Sequence, residues 1–104
     1  MITILNTSIL TNYGRYEFEA VTLERARELV SGGFQSAIGH QSTADILTDL
    51  LETQVMMNRA QYVQAAGDKA LVFKLKGRVL EGVVLNREQI EEMGYEFGVL
   101  TRIS

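Results

Sequence analysis

Short strand-like and helix-like segments alternate along the whole of this 104-residue chain, and no proline or low-complexity linker separates them. Residues 1–5 and 16–21 are rich in β-branched and alternating apolar residues, which is typical of strands. Residues 22–31 and the run that follows His40 instead repeat apolar residues at three- and four-residue spacing, as amphipathic helices do. The pattern predicts one domain, residues 1–104, of α/β or mixed α+β class, with a mixed sheet of about five strands flanked by helices.

The first predicted helix ends at Gly32-Gly33, and the last one begins after Asn86, a good capping residue, and runs through Met93. We expect Leu71, Phe73 and Leu75 to share one face of their strand. Lys74, Lys76 and Arg78 would share the other face if the extended backbone continues through Gly77. The further predicted strands are residues 34–38, 58–64, 70–75 and 97–103, the second and third joined as a hairpin through Ala66-Gly67-Asp68.

Composition excludes several classes of site. The chain has no cysteine and one histidine, so disulfides, thiolate nucleophiles and a multi-histidine metal site within one protomer are excluded. We therefore expect neither a metal nor a cofactor. A formal charge of −3 argues against sequence-blind binding along duplex DNA, so an anionic partner must be small or gripped locally.

The same composition bears on location. No apolar stretch approaches the roughly 20 residues that a membrane-spanning helix needs. The first ten residues show no pattern of a signal peptide. The expected location is the cytoplasm, with no membrane partner.

The single histidine lies in the segment Ile38-Gly39-His40-Gln41-Ser42-Thr43, directly before the second predicted helix. Glycine lets a backbone approach a ligand closely, and a helix N-terminus offers unpaired N–H groups to an anion. Ser42 and Thr43 are good helix caps. Two interpretations remain open: a proton donor beside a phosphate site, or an exposed loop histidine beside an ordinary helix cap.

Residues suited to metal-free RNA cleavage are present elsewhere in the chain. Such cleavage uses an internal 2′-hydroxyl, a cation beside the phosphate and an acid for the leaving 5′-oxygen. His40 suits the acid, Arg59 and Arg78 suit the phosphate, and Glu81 could orient an arginine or the substrate hydroxyl. Taken alone, the arginines fit solvated surface cations, which is the fate of most arginines, and Glu81 fits an exposed carboxylate at a turn.

Four segments together resemble the viral ring nucleases that act as type III anti-CRISPR proteins, a family that also has cellular and mobile-element members. The segments are Leu5-Asn6-Thr7-Ser8, residues 38–43, Asn58-Arg59 and Arg78-Val79-Leu80-Glu81-Gly82. The resemblance implies a homodimer that encloses cyclic tetra-adenylate, the second messenger of type III CRISPR defence. It also implies metal-free cleavage to linear di-adenylate with a 2′,3′-cyclic phosphate, which stops the signalling.

The resemblance also assigns roles to residues. His40 matches the general acid, and Arg78 and Glu81 complete the implied catalytic set. The implied ligand-binding residues are Asn6, Thr7, Ser8, Gly39, Gln41, Ser42, Thr43 and Arg59.

The chain departs from the family pattern at three positions. Ile9 and Thr11 stand where viral members carry Ser and Asn, so Thr7, Ser8 or Asn12 would have to replace those contacts. Gln41 stands where Asp is common, which removes a negative charge beside the phosphate site.

Two other function classes fit the same sequence. A non-catalytic nucleotide- or DNA-binding regulator could use the same fold, because a fold does not determine a function. A small dimeric interaction module with unspecialised polar loops is the third. If the protein is viral, the host-cell cytoplasm is where it acts.

Overall fold

The structure of the protein, a computed structural model, describes residues 2–7, 12–59, 61–77 and 85–104. Five strands form one sheet in the spatial order β2-β5-β4-β1-β3. The strands are β1 (Ile2–Leu5), β2 (Tyr16–Val21), β3 (Phe34–Ser36), β4 (Lys69–Leu75) and β5 (Tyr95–Arg102). The helices are α1 (Leu23–Ser31), α2 (Gln41–Leu51) and α3 (Arg87–Met93).

The sheet is mixed, which confirms the predicted fold class. β1 pairs in parallel with β3 on one side and with β4 on the other. β5 runs antiparallel to β4 and to β2. Parallel neighbours need long connections: β2 and α1 lie between β1 and β3 in the chain, and α2 lies between β3 and β4, the strands on either side of β1.

All three helices cover one face of the sheet, where the main core lies. Alternate residues of β1 and β4, among them Ile4, Leu71 and Phe73, point to this face and pack against the helices. Leu47 and Leu50 of α2 are fully buried in the same cluster. The predicted amphipathic helix after His40 is therefore confirmed, because the apolar stripe of α2 packs against the apolar face of the sheet.

None of the described helices covers the opposite face of the sheet, which we call the helix-free face and which carries a smaller apolar cluster of Leu5, Ala70, Val72 and Leu100. Part of this cluster is covered by Tyr62, which comes from the irregular segment 61–65. The main core is much larger than this cluster, so the two faces of the sheet are unequal.

The described residues of the predicted strand 58–64, which are 58–59 and 61–64, form no strand, and no hairpin joins them to β4. Within the described part of this segment only a local turn remains, in which Asp68 donates its backbone N–H to the carbonyl of Ala65 at 3.0 Å. β1 and β5 occupy the two edges of β4, so the segment cannot pair with β4 as the predicted hairpin requires. Gln64, fully buried, instead donates from its side chain to the backbone carbonyls of Asp68 and Leu100.

Some predicted boundaries shift. The strand expected over 34–38 ends at Ser36, and Ile38 makes only an isolated bridge to Met57. β4 ends at Leu75, so Lys76 does not continue a row of cations from Lys74. Arg78 and most of the apolar segment 79–85 lie outside the described residues. Among the residues that are described, no helix is long and apolar enough to cross a membrane.

The N-terminus of α3 confirms a sequence prediction and generates a stability test. Asn86 accepts from the backbone N–H of Gln89, and the Gln89 side chain accepts from the backbone N–H of Asn86 in return. We expect Asn86→Ala to lower the free energy of unfolding by about 1 kcal/mol, because the cap is lost. Asn86→Ser, which keeps a capping oxygen, should lose less than half as much in urea denaturation followed by circular dichroism. Equal losses in the two variants would contradict this role.

Candidate active site

Three parallel strands end side by side at one edge of the sheet, and the predicted site residues follow those ends. β1 lies between β3 and β4 and is followed by Asn6. β3 leads into the segment that ends at His40, and β4 leads into Lys76 and Gly77. Ligands of sheets with parallel strands bind outside the carboxyl ends of the strands. The topology thus brings three sequence-distant segments to the edge where a ligand site is expected.

His40 itself is the N-cap of α2, with an extended backbone (φ −130°, ψ 132°). Ser42 and Thr43, which the sequence suggested as caps, instead lie inside the first turn and are half-buried. Among the residues that the structure describes, no side chain caps this helix end, and the first turn contains no acidic residue. The N–H groups and the positive end of the dipole of α2 therefore remain available to an anion.

The other two helices begin differently. Thr22 caps α1 and Asn86 caps α3 through their side chains, and each first turn contains a glutamate. In α2 the Gln41 amide nitrogen donates to the carboxylate of Asp45 at 2.8 Å. Asp45 comes after the first turn and is held by this bond, as expected for a carboxylate that does not compete with a bound anion.

A second segment fixes the backbone that leads to His40. The backbone N–H of Asn58 donates to the carbonyl of Ile38 at 2.7 Å, and the Asn58 amide donates to the carbonyl of Ser36 at 2.7 Å. The Ser36 hydroxyl donates to the carbonyl of Met56 at 2.6 Å. The Arg59 Nε donates to the carbonyl of Gly39 at 3.0 Å. Segment 56–59 therefore holds the histidine loop from residue 36 to residue 39.

Arg59 and His40 are both exposed beside this loop. Within the described part of the chain, Arg59 has no acidic partner, and only its Nε is used for the bond to Gly39. The remaining guanidinium nitrogens are free to bind a planar anion in two places at once. The arrangement offers a cation, a helix N-terminus and an imidazole at one place.

The opposite end of α2 is held by two arginines that the sequence analysis missed. Arg27 Nε donates to the carbonyl of Leu50 at 2.9 Å. Arg87 donates to the carbonyl and the carboxylate of Asp49, each at 2.8 Å, and this bond raises the pKa of Arg87. These cations complement the negative helix end. The one indication of these contacts in the sequence is that the last turn of α2 contains no basic residue of its own to complement the helix dipole.

The structure brings together most of the predicted ligand-binding residues. Gly39, His40, Gln41, Ser42, Thr43 and Arg59 form one continuous region, and Asn6 and Thr7 lie at the same edge of the sheet. Ser8, Arg78 and Glu81 lie outside the described residues, as do Ile9 and Thr11.

Comparisons with known proteins identify the family. A sequence model of the STIV B116-like family matches residues 2–97. The chain belongs to this family. The uncharacterized protein YddF of Bacillus subtilis is 34% identical over 98% of this chain and 97% of its own length. Uncharacterized protein 26 of a Sulfolobus islandicus filamentous virus is 38% identical over 91% of this chain and 86% of its own length.

The solved structures agree on the fold of this STIV B116-like protein. B116 of Sulfolobus turreted icosahedral virus superposes with a TM-score of 0.83 at 24% identity, covering 97% of this chain and 98% of that one. These matches confirm the resemblance to a viral family that has cellular members and support the described topology over nearly the full length.

The N-terminus of α2, which has no side-chain cap, leads to a prediction about stability. His40→Asp should raise the free energy of unfolding by about 1 kcal/mol, because a carboxylate would cap the free N–H groups and complement the dipole. His40→Ala is the matched control, since alanine adds no cap. Urea denaturation of the three proteins at low ionic strength checks this. An unchanged or lowered stability of His40→Asp would show that the helix end is already satisfied.

Proposed function

We propose that this protein is a metal-independent ring nuclease that cleaves cyclic tetra-adenylate and so switches off type III CRISPR signalling in the cytoplasm. One observation carries the proposal: the single histidine is the N-cap of a helix that no side chain caps, beside an arginine held to the same loop. The identity of the substrate is inferred from the resemblance of the four segments to the viral ring nucleases.

A phosphodiester suits this place electrostatically. The chain has a formal charge of −3, so four phosphates need local positive potential to bind. Arg59 supplies a full charge, and the N-terminus of α2 supplies oriented N–H groups with about half a charge. Both lie next to His40, which is the N-cap of α2 and the neighbour of Gly39, to which Arg59 is bonded.

The proposed reaction follows from the chemistry of RNA. The 2′-oxygen bonds to phosphorus and gives up its proton to solvent, the bond between phosphorus and the 5′-oxygen breaks, and His40 donates a proton to the departing oxygen. The product ends are a 2′,3′-cyclic phosphate and a 5′-hydroxyl. Arg59 and the helix end stabilise the extra negative charge on the five-coordinate phosphorus.

Three more residues enter through the resemblance. Arg78 and Glu81 would complete the catalytic set, and Gly77, the described residue before Arg78, lies at the edge of the sheet that holds Asn6. Arg78 would bind phosphate, and Glu81 would orient an arginine or the 2′-hydroxyl.

The substrate also implies a second copy of the chain. Each chain has one histidine, whereas conversion of a four-nucleotide ring to linear di-adenylate breaks two opposite bonds. A twofold dimer presents the same site twice, so that two imidazoles face two opposite phosphodiesters. The homodimer is therefore part of the proposal.

The cleavage assay is the direct test. Purified protein in EDTA should convert cyclic tetra-adenylate to di-adenylate ending in a 2′,3′-cyclic phosphate. His40→Ala should lower kcat by about 100- to 10,000-fold with a much smaller effect on KM, because a general acid acts in the transition state. Glu19→Gln, on exposed β2, is the matched control and should keep full activity.

The assay distinguishes the function classes. Full activity of His40→Ala would overturn the assignment of the acid. Saturable binding of the ring without any product would instead favour a non-catalytic nucleotide-binding regulator. Failure of cyclic oligoadenylates to bind or to raise the melting temperature would favour an interaction module.

The dimer has its own measurement. Sedimentation equilibrium of the protein at micromolar concentration should give twice the mass of one chain, with and without cyclic tetra-adenylate. The His40→Ala protein bound to the ring should show two chains per ligand, because both sites act on one molecule. A monomer that cleaves the ring at both bonds would contradict the twofold arrangement.

A further inference from the structure

A polar cavity of about 350 Å³ opens on the helix-free face of the sheet, between the edge formed by β1 and β3 and the segment 58–62. This volume falls in the range of roughly 300–1,000 Å³ that is typical of small-molecule sites. We call it the amide pocket. Its lining residues include Thr3, Gln35, Ala37, Asn58, Gln61 and Tyr62.

The amide pocket carries no charge. None of its lining residues is acidic or basic. Burial, with the negative charge of Asp68 as a further cause, raises the pKa of Tyr62 above its usual value, so the phenol stays neutral. A neutral polar lining disfavours a phosphate and favours an uncharged ligand that forms hydrogen bonds.

Several polar groups of the amide pocket lack partners in the described part of the chain. Thr3 is only 5% exposed, and its side chain makes no hydrogen bond there. The amides of Gln35 and Gln61 are exposed and make none either. The Asn58 amide nitrogen is used by the carbonyl of Ser36, which leaves its oxygen free to accept. The Tyr62 hydroxyl is buried and has no hydrogen-bond partner among the described residues. Buried polar groups are normally paired, so the side chains of Thr3 and Tyr62 indicate a ligand, and the exposed amides are available to bind it.

The amide pocket and the phosphate site use the same two chain segments. Ala37 lines the pocket, and two residues later Gly39 begins the histidine loop. Asn58 lines the pocket, and the next residue, Arg59, holds that loop. A single nucleotide bound here would therefore contact a neutral surface and a positive surface that adjacent residues form.

We propose that the amide pocket binds one adenine base of the substrate while the adjoining phosphate lies at His40 and Arg59. The inference deepens the proposed function and rests on it. A side-chain amide offers one donor and one acceptor, which match the N7 acceptor and the amino donor of adenine. Hypoxanthine and guanine present two acceptors at the same edge, which one amide cannot match. The ring of Tyr62 supplies a flat wall for stacking.

Binding of adenosine 5′-monophosphate and inosine 5′-monophosphate tests the inference, because the bases differ at the amino group. Calorimetric titration of the full chain should show at least roughly tenfold tighter binding of the adenosine nucleotide. Gln61→Ala should weaken that binding by roughly tenfold and leave inorganic pyrophosphate binding unchanged. Arg59→Ala should weaken both. Gln54→Ala, an exposed glutamine outside the pocket, is the matched control and should change neither.

The outcomes separate this inference from the nuclease proposal. Equal affinity for the two nucleotides, or equal effects of Gln61→Ala and Gln54→Ala, would overturn the amide pocket as a base site. Cleavage of cyclic tetra-adenylate by Gln61→Ala with an unchanged KM would overturn it too and leave the nuclease standing. Preference for the adenosine nucleotide that depends on Gln61, together with no cleavage of the ring, would support the pocket and refute the nuclease.

Discussion

The parallel pairing of β1 with both β3 and β4 is the constraint on which the rest of the structure depends. It turns the carboxyl ends of three strands to one edge, so that Asn6, the histidine loop and Lys76-Gly77 follow from neighbouring points. It also buries β1 in the middle of the sheet, where alternate residues serve the two faces. The helix-covered face supplies stability, and the carboxyl edge is left for a ligand.

The two ends of helix α2 are stabilised differently. Its apolar stripe and the arginines that bind Leu50 and Asp49 hold it firmly at one end. Its N-terminus is the only one of the three described helix starts without a side-chain cap. A capping residue at position 40 is expected to stabilise the helix more than His40 does, a difference that is common at functional sites.

The same two segments provide both the charged and the neutral surfaces. Arg59 faces the histidine loop, whereas Asn58 holds the carbonyl of Ser36 and lines the amide pocket. Under the proposed function, Arg59 and the N-terminus of α2 would supply the local positive potential that a net negative protein needs to bind a polyanion, while base contacts need no charge.

Local patterns in the sequence determined the helices, the cap at Asn86 and the strand Tyr16–Val21, because each depends on neighbours within a few residues. They failed for the predicted hairpin of residues 58–64 with β4, because β1 and β5 already occupy the two edges of β4. They also placed the α2 cap at Ser42 or Thr43 instead of His40. Only the tertiary structure decided the contacts of Arg59 with Gly39 and of Arg87 with Asp49, 20 and 38 residues apart. Strand order sets such distances, and no local propensity encodes that order.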